Sequence, residues 1–281
     1  MREIDVSEVV ALVSSLYQEA NFSLPPDVIE ALEAALEREE SSLGRDVLET
    51  LLKNAVIAGR ERVPLCQDTG LATVFAEVGQ EVHFTGGSFA EAVDAGIAKA
   101  QAEGFLRASV VRDACFERVN TGDNTPAMLH TELVEGDGVG ITVLPKGGGS
   151  ENMSRLAILK PADGIEGVVD FVVETVELAG GNPCPPIFLG VGIGGAMDRA
   201  ALLAKQALLR PAGSPNPDGR LALLEADILE RVNALGIGPG GFGGMVTCLG
   251  VAIEEYPCHI ASLPVAVNVQ CNSARRAKGS L

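Results

Sequence analysis

The hydrophobic pattern of this 281-residue chain changes period near Pro64. Before it, apolar residues recur at helical spacing, in Val9, Val10, Val13 and Leu16, in Val28, Ile29, Leu32 and Leu36 behind Pro25 and Pro26, and in Val47, Leu48, Leu51, Leu52 and Val56. After it, short β-like runs at residues 73–78, 128–134 and 139–144 are cut by Gly, Asp and Asn. Further on, residues 89–103, 165–178, 197–209 and 221–235 read as helices, and 187–193, 245–253 and 260–269 as strands. Pro264 places the last strand at a sheet edge or breaks it. Residues 211–219, PAGSPNPDG, read as a loop. The fold class is therefore α+β: a helical N-terminal part, 1–60, followed by a mixed α/β part, 61–281. No linker is long enough to divide the chain, so 1–281 reads as one domain.

Apolar residues make up 47% of the chain and charged ones 21%, enough to fill a large core and too few charges for a disordered protein. The net charge of −17 argues against nucleic acid or an anionic membrane as partner, because phosphate binding needs clustered Lys and Arg. No apolar stretch has the length of a signal peptide or a membrane span, and the chain reads as cytoplasmic. A small anionic substrate remains allowed if a local arginine pocket opposes the global field.

In that compartment six cysteines read as core thiols or metal ligands rather than disulfides. Cys66 (PLCQDTG), Cys184 (GGNPCPP) and Cys271 (VQCNSARRA) lie in turn-like settings. Cys115 follows a β-like run, Cys248 sits inside an apolar strand, and Cys258 adjoins Pro257. The first three are too far apart in sequence for zinc-finger or ferredoxin spacing, so a shared metal would need the fold to gather distant loops. Three thiolates on a [4Fe–4S] cluster would leave one iron open to substrate oxygens, as addition or removal of water requires. Spacing alone leaves core thiols and cluster ligands both open.

Gln67 and Asp68 follow Cys66, Arg275 and Arg276 follow Cys271, and Lys146 precedes a Gly147–Gly149 run. Arginines suit carboxylates, and glycines let backbone N–H groups approach an anion. GVGIGG at 190–195 has the shape of a dinucleotide fingerprint, but the acidic residue expected about twenty positions on is missing, so it reads as tight strand-to-helix packing. GIGPGGFGG at 236–244 lacks a phosphate-loop ending and could line a pocket. His83 reads as structural, while His130 and His259 are open to a core or a proton-handling reading.

Taken in order, PLCQDTG, LRASVV, NTGDNTPA, PKGGGSENMS, GGNPCPP, GVGIGG, GIGPGGFGG and HIASLPVAVNVQC resemble the α-subunit type of the iron–sulfur hydro-lyases, class I fumarate hydratase and L(+)-tartrate dehydratase. The resemblance runs from about Val63 to Ala277. It implies a [4Fe–4S] cluster on loops, held by Cys66, Cys184 and Cys271. It also implies substrate-carboxylate contacts from Gln67, Arg107 and the Gly149 backbone, and proton handling by Asp68 and His259. Lys146, Arg275 and Arg276 receive no role. Asn272 stands where a His or an aromatic would be expected.

The resemblance further implies a β-subunit as partner, since the chain ends at Leu281 without the second domain that single-chain members carry. Pairing of α chains in a heterotetramer is expected with it. The substrate is then a small dicarboxylate, with reversible hydration of fumarate to (S)-malate first and conversion of L(+)-tartrate to oxaloacetate as the alternative. A cluster-free scaffold subunit, or an NAD enzyme resting on GVGIGG alone, is the competing class.

Overall fold

The computed structural model describes all 281 residues, Met1–Leu281, and is mixed α+β. The chain divides into two compact units: Met1–Pro25, Ala55–Gly148 and Arg275–Leu281 form the first, Pro26–Asn54 and Gly149–Ala274 the second. No helix is long and apolar enough to cross a membrane.

The first unit begins with β1 (Arg2–Asp5), a strand that the helical reading of the first sixty residues did not include, and α1 (Val6–Phe22). Asp5 starts α1 through a capping box: its carboxylate accepts from Ser7 N at 2.9 Å, and Glu8 reaches back to Asp5 N at 3.3 Å. Then come β2 (Leu71–Gly79), β3 (Val82–Thr85), α4 (Phe89–Glu103), β4 (Met128–Val134), β5 (Val139–Lys146) and β10 (Ala277–Ser280). β1 pairs with β3 in a parallel ribbon, and the main sheet has the order β10-β5-β2-β4. β5 runs antiparallel to β2 and β10, whereas β4 is parallel to β2. Val9, Val13, Leu16 and Tyr17 of α1 and Val93 and Ile97 of α4 form one core with Val74, Ile141 and Val143 of the sheet.

The second unit holds α2 (Pro26–Arg38), most of α3 (Ser42–Glu61), β6 (Arg155–Leu159), α6 (Gly164–Ala179), β7 (Ile187–Gly194), α7 (Met197–Ala207), α8 (Gly219–Ala234), β8 (Cys248–Tyr256) and β9 (Leu263–Gln270). A single helical turn, α5 (Gly148–Glu151), precedes β6. The sheet order is β6-β9-β7-β8, with β7 parallel to β8 and β9 antiparallel to both its neighbours. β9 is thus interior, not the edge strand that Pro264 suggested. Pro264 pairs only with Ile158 of β6, because the ladder to β7 begins at Val265, so the missing N–H leaves no gap on the β7 side.

β7 is buried along its whole length, and its two faces are built differently. Ile187, Leu189, Val191 and Ile193 join Val168, Val172, Ile228 and Val232 of α6 and α8 in the core. Gly190 and Gly192 face α7, where a Cβ would collide with the carbonyls of Ala204 and Ala200. The GVGIGG run therefore serves close strand-to-helix packing. Gly192→Ala should lower unfolding stability by about 1–3 kcal/mol, read in urea melts, whereas the same change at exposed Gly219, where a Cβ meets nothing, should leave it nearly unchanged.

Candidate functional site

In the first unit the motif loops converge at one end of the sheet. Leu71 opens β2 beside Lys146, the last residue of β5. The Cys66–Gly70 turn and the Gly147–Gly148 pair consequently share that end. Arg275 precedes β10, whose Ala277 pairs with Val143 near the same end. Gly70 has a left-handed backbone (φ 81°), and a Cβ there would lie 2.8 Å from Lys146 N, so only glycine lets the turn pass this close to β5.

The Cys66 thiol donates to Gln67 Oε1 at 3.2 Å, and Asp68 N donates to Cys66 Sγ at 3.4 Å. Asp68 is held at both carboxylate oxygens, Oδ1 accepting from Gly70 N at 3.0 Å and Oδ2 from Gly148 N at 2.8 Å. Each oxygen keeps a lone pair for a further partner. Thr69 Oγ1 donates to Arg107 O at 2.9 Å, fixing the Arg107 backbone to the turn while its side chain stands exposed. Gln67 is exposed as well.

Beneath this turn lies a buried polar network. Tyr17 Oη shares its proton between the carbonyls of Thr69 and Gly70, each at 3.2 Å, and Asn124 Nδ2 donates to Gly70 O at 3.2 Å and to Tyr17 Oη at 3.3 Å. Burial pushes the Tyr17 phenol up to about 12, so it stays a neutral donor at physiological pH. Asn124 Oδ1 accepts from Ser109 N at 2.7 Å, which ties in the Arg107 segment a second time. Arg275 donates through Nη1 to Asn21 Oδ1 at 3.0 Å and through Nη2 to Asp68 O at 2.9 Å. Of these residues the sequence reading quoted Asn124 only as part of a motif and left Arg275 without a role; Tyr17 and Asn21 it missed. The available signal was Asn21 itself, an amide four residues beyond Tyr17 on the apolar stripe of α1.

In the second unit Cys184 precedes β7 and Cys271 follows β9, and because these strands are antiparallel the two thiols share one end of the sheet, where Phe188 pairs with Gln270. Cys184 adopts a left-handed backbone (φ 56°) and is exposed; Cys271 is half-buried. Asn272 joins the two turns, donating Nδ2 to Cys184 O at 2.8 Å. The unexpected residue after Cys271 thus has a definite task. The glycine-rich stretch serves the same turn, with Gly240 N donating to Pro185 O at 2.8 Å. Gly149 stands beside Asn182, where a Cβ would be 3.8 Å from the Asn182 carbonyl.

His259 is elsewhere. It lies in the loop before β9, at the opposite end from Cys271, and the eight-residue strand separates them by about 25 Å. Its Nδ1 accepts from Ala261 N at 3.1 Å, which places the proton of the neutral ring on Nε2. The exposed ring lines a groove of about 430 Å³ with Ile165, Leu221, Leu224, Ile260 and Leu263. His130 stacks on Phe75, with ring centroids 5.1 Å apart.

No three His, Cys, Asp or Glu side chains are grouped around a single point as one metal ion would need. A four-iron cube makes a different demand, since separate thiolates bind separate irons. Cys66, Cys184 and Cys271 suit that chemistry: none is in a disulfide, all are reached by solvent, and N–H···S bonds reach Cys66 from Asp68 N and Cys271 from Gln270 Nε2 at 3.6 Å. Cys248 does not suit it, because complete burial pushes its thiol up to about 12. Asn272→Ala should speed amide exchange in residues 181–187 and lower stability by about 1 kcal/mol, measured by hydrogen exchange and urea unfolding.

Comparison with known proteins agrees with this arrangement of motifs. The family profile described as Fumarate hydratase (Fumerase) matches residues 10–280. A Methanocaldococcus jannaschii protein provisionally named L(+)-tartrate dehydratase subunit alpha is 45% identical over 277 residues, covering 97% of this chain and 96% of that one. The L(+)-tartrate dehydratase subunit alpha of Escherichia coli K12 is 34% identical over 275 residues, covering 96% and 90%. That of Shigella boydii serotype 4 shows the same identity and coverage. The chain belongs to the fumarate hydratase and tartrate dehydratase family of hydro-lyases, in its α-subunit form.

Proposed function

We propose that this chain, acting as one α-subunit-type domain over 1–281, is half of a cytoplasmic two-subunit hydro-lyase that adds and removes water across the central carbons of a four-carbon dicarboxylate. Fumarate and (S)-malate are its first substrate pair. The observation that carries this reading is the Asp68 carboxylate, two residues after Cys66, pinned by two backbone N–H groups with open lone pairs left on both oxygens. A carboxylate so placed takes the C–H proton in dehydration and returns it in hydration. Arg107, exposed and fixed through its carbonyl, clamps a substrate carboxylate by paired N–H bonds. Gln67 orients the acid once the Cys66 thiol proton that it accepts is lost on ligation, and Gly149 offers its N–H.

A [4Fe–4S] cluster held by Cys66, Cys184 and Cys271 would supply a Lewis-acidic iron for the substrate hydroxyl and one carboxylate. Six cysteines without a disulfide suit a reducing compartment. A β-type partner adds the cationic groups that a dicarboxylate needs against a net charge of −17, and the relatives' designation as subunit alpha supports such a partner. The second reading, water loss from L(+)-tartrate to give oxaloacetate, is favoured by the names of those relatives and uses the same groups.

Two experiments test this. Anaerobic preparation should yield iron and sulfide that Cys66→Ser, Cys184→Ser or Cys271→Ser removes and Cys115→Ser or Cys248→Ser does not; the reverse pattern would refute the ligand assignment. The reconstituted chain should be nearly inactive alone and hydrate fumarate when its β-type partner is added. Parallel assays on (S)-malate and both tartrates rank the substrates, and turnover of L(+)-tartrate without malate replaces the first reading by the second.

A further inference from the structure

We infer that Arg275 is the positioning residue for Asp68, an inference that rests on the proton-handling role proposed above for that carboxylate. Arg275 is 1% exposed, yet no carboxylate pairs with it: its two hydrogen-bond partners are the Asn21 amide oxygen and the Asp68 carbonyl, and its Nε has none. Burying a guanidinium among neutral groups carries a large desolvation cost, and an apolar side chain of similar volume commonly stabilises a core at least as well. Stability alone therefore does not account for an arginine here.

What the guanidinium does is local and geometric. It grips the Asp68 main chain from beneath, while Gly70 N and Gly148 N grip the carboxylate. Its Nη2 and Asp68 Oδ2 flank Gly147, a Cβ on which would lie 4.0 Å from the first and 3.3 Å from the second. The next two carbonyls, Thr69 and Gly70, are held by Tyr17 and Asn124. Three successive carbonyls of one turn thus each accept a bond from a buried side chain, and the peptide that aims Asp68 has no freedom to tilt. Arg275 alone acts on the residue that carries the carboxylate. Its fork spans two acceptors at once, Asn21 anchoring it to α1. A lysine offers a single point charge at this position and cannot reproduce that span.

The test uses the assembled α–β enzyme with its cluster, and compares Arg275→Lys, Asp68→Asn and the double variant on whichever dicarboxylate is turned over. Arg275→Lys should lower kcat by about 10–100-fold, the scale of a small misplacement of a reacting group. KM, iron content and Tm should stay close to wild type. In the Asp68→Asn background the same change should produce no further loss, because the group through which it acts is gone. Hydrogen exchange in residues 66–72 should rise in Arg275→Lys without cluster or partner present. Wild-type kcat in Arg275→Lys, or an equal loss in both backgrounds, overturns the inference and leaves the Asp68 reading standing. Wild-type activity in Asp68→Asn overturns that reading and the inference with it. Should Arg275→Lys fold poorly, Tyr17→Phe serves instead: it removes the donor to the Thr69 carbonyl, while Asn124 still holds that of Gly70, and should lower kcat less, and only while Asp68 is present.

Discussion

An antiparallel strand pair inside each sheet is the constraint on which the arrangement of the motifs depends. In the first unit β5 returns against β2, so the residues after Lys146 arrive beside the residues before Leu71. In the second, β9 returns against β7, so the residue after Gln270 arrives beside the turn before Ile187. Had either pair been parallel, the same motifs would stand at opposite ends of the sheet, a strand's length apart. His259 shows the consequence directly, since it precedes the strand that Cys271 follows.

Placement by topology is coarse, and hydrogen bonding refines it. The Cys66–Gly70 turn carries its acidic side chain outward and its carbonyls inward, and an inward carbonyl must find a donor. Tyr17, Asn124 and Arg275 supply donors from α1, from the segment before β4 and from the C-terminal strand region. These three come from widely separated parts of the sequence. The turn is rigid for that reason, and its rigidity extends to Arg107 through Thr69 Oγ1 and through Asn124 to Ser109. In the second unit one side chain, Asn272, performs the corresponding service between two turns, with Gly240 supporting it from the glycine-rich stretch.

Several elements were legible from pattern alone. Residues 89–103 and 128–134 coincide with α4 and β4, because an N-cap serine with a periodic apolar face, and a β-rich run bounded by turn residues, are local signals. The segment 245–253 starts three residues early relative to β8, since Met245 and Val246 spend their N–H groups on the Glu39 carboxylate rather than on a neighbouring strand. Strands β1, β3, β6 and β10, four or five residues each, carry too little pattern to be read without their partners.

The sequence by itself determined the chemistry on offer: three thiols in turns, Asp68 and Gln67 beside the first of them, an arginine in LRASVV, glycines where backbone must approach backbone, and an acidic surface that repels polyanions. Those are properties of residue type and close neighbours, and they are the same in any fold. Only the tertiary structure decided that Asn272 ties Cys184 to the turn of Cys271, that Arg275 turns inward beneath Asp68 rather than outward as a basic tail, and that His259 lies away from Cys271. Each of these depends on which strand ends meet. Strand pairing is a contact between residues distant along the chain, selected by the burial of whole sheet faces, and no local stretch of sequence contains it.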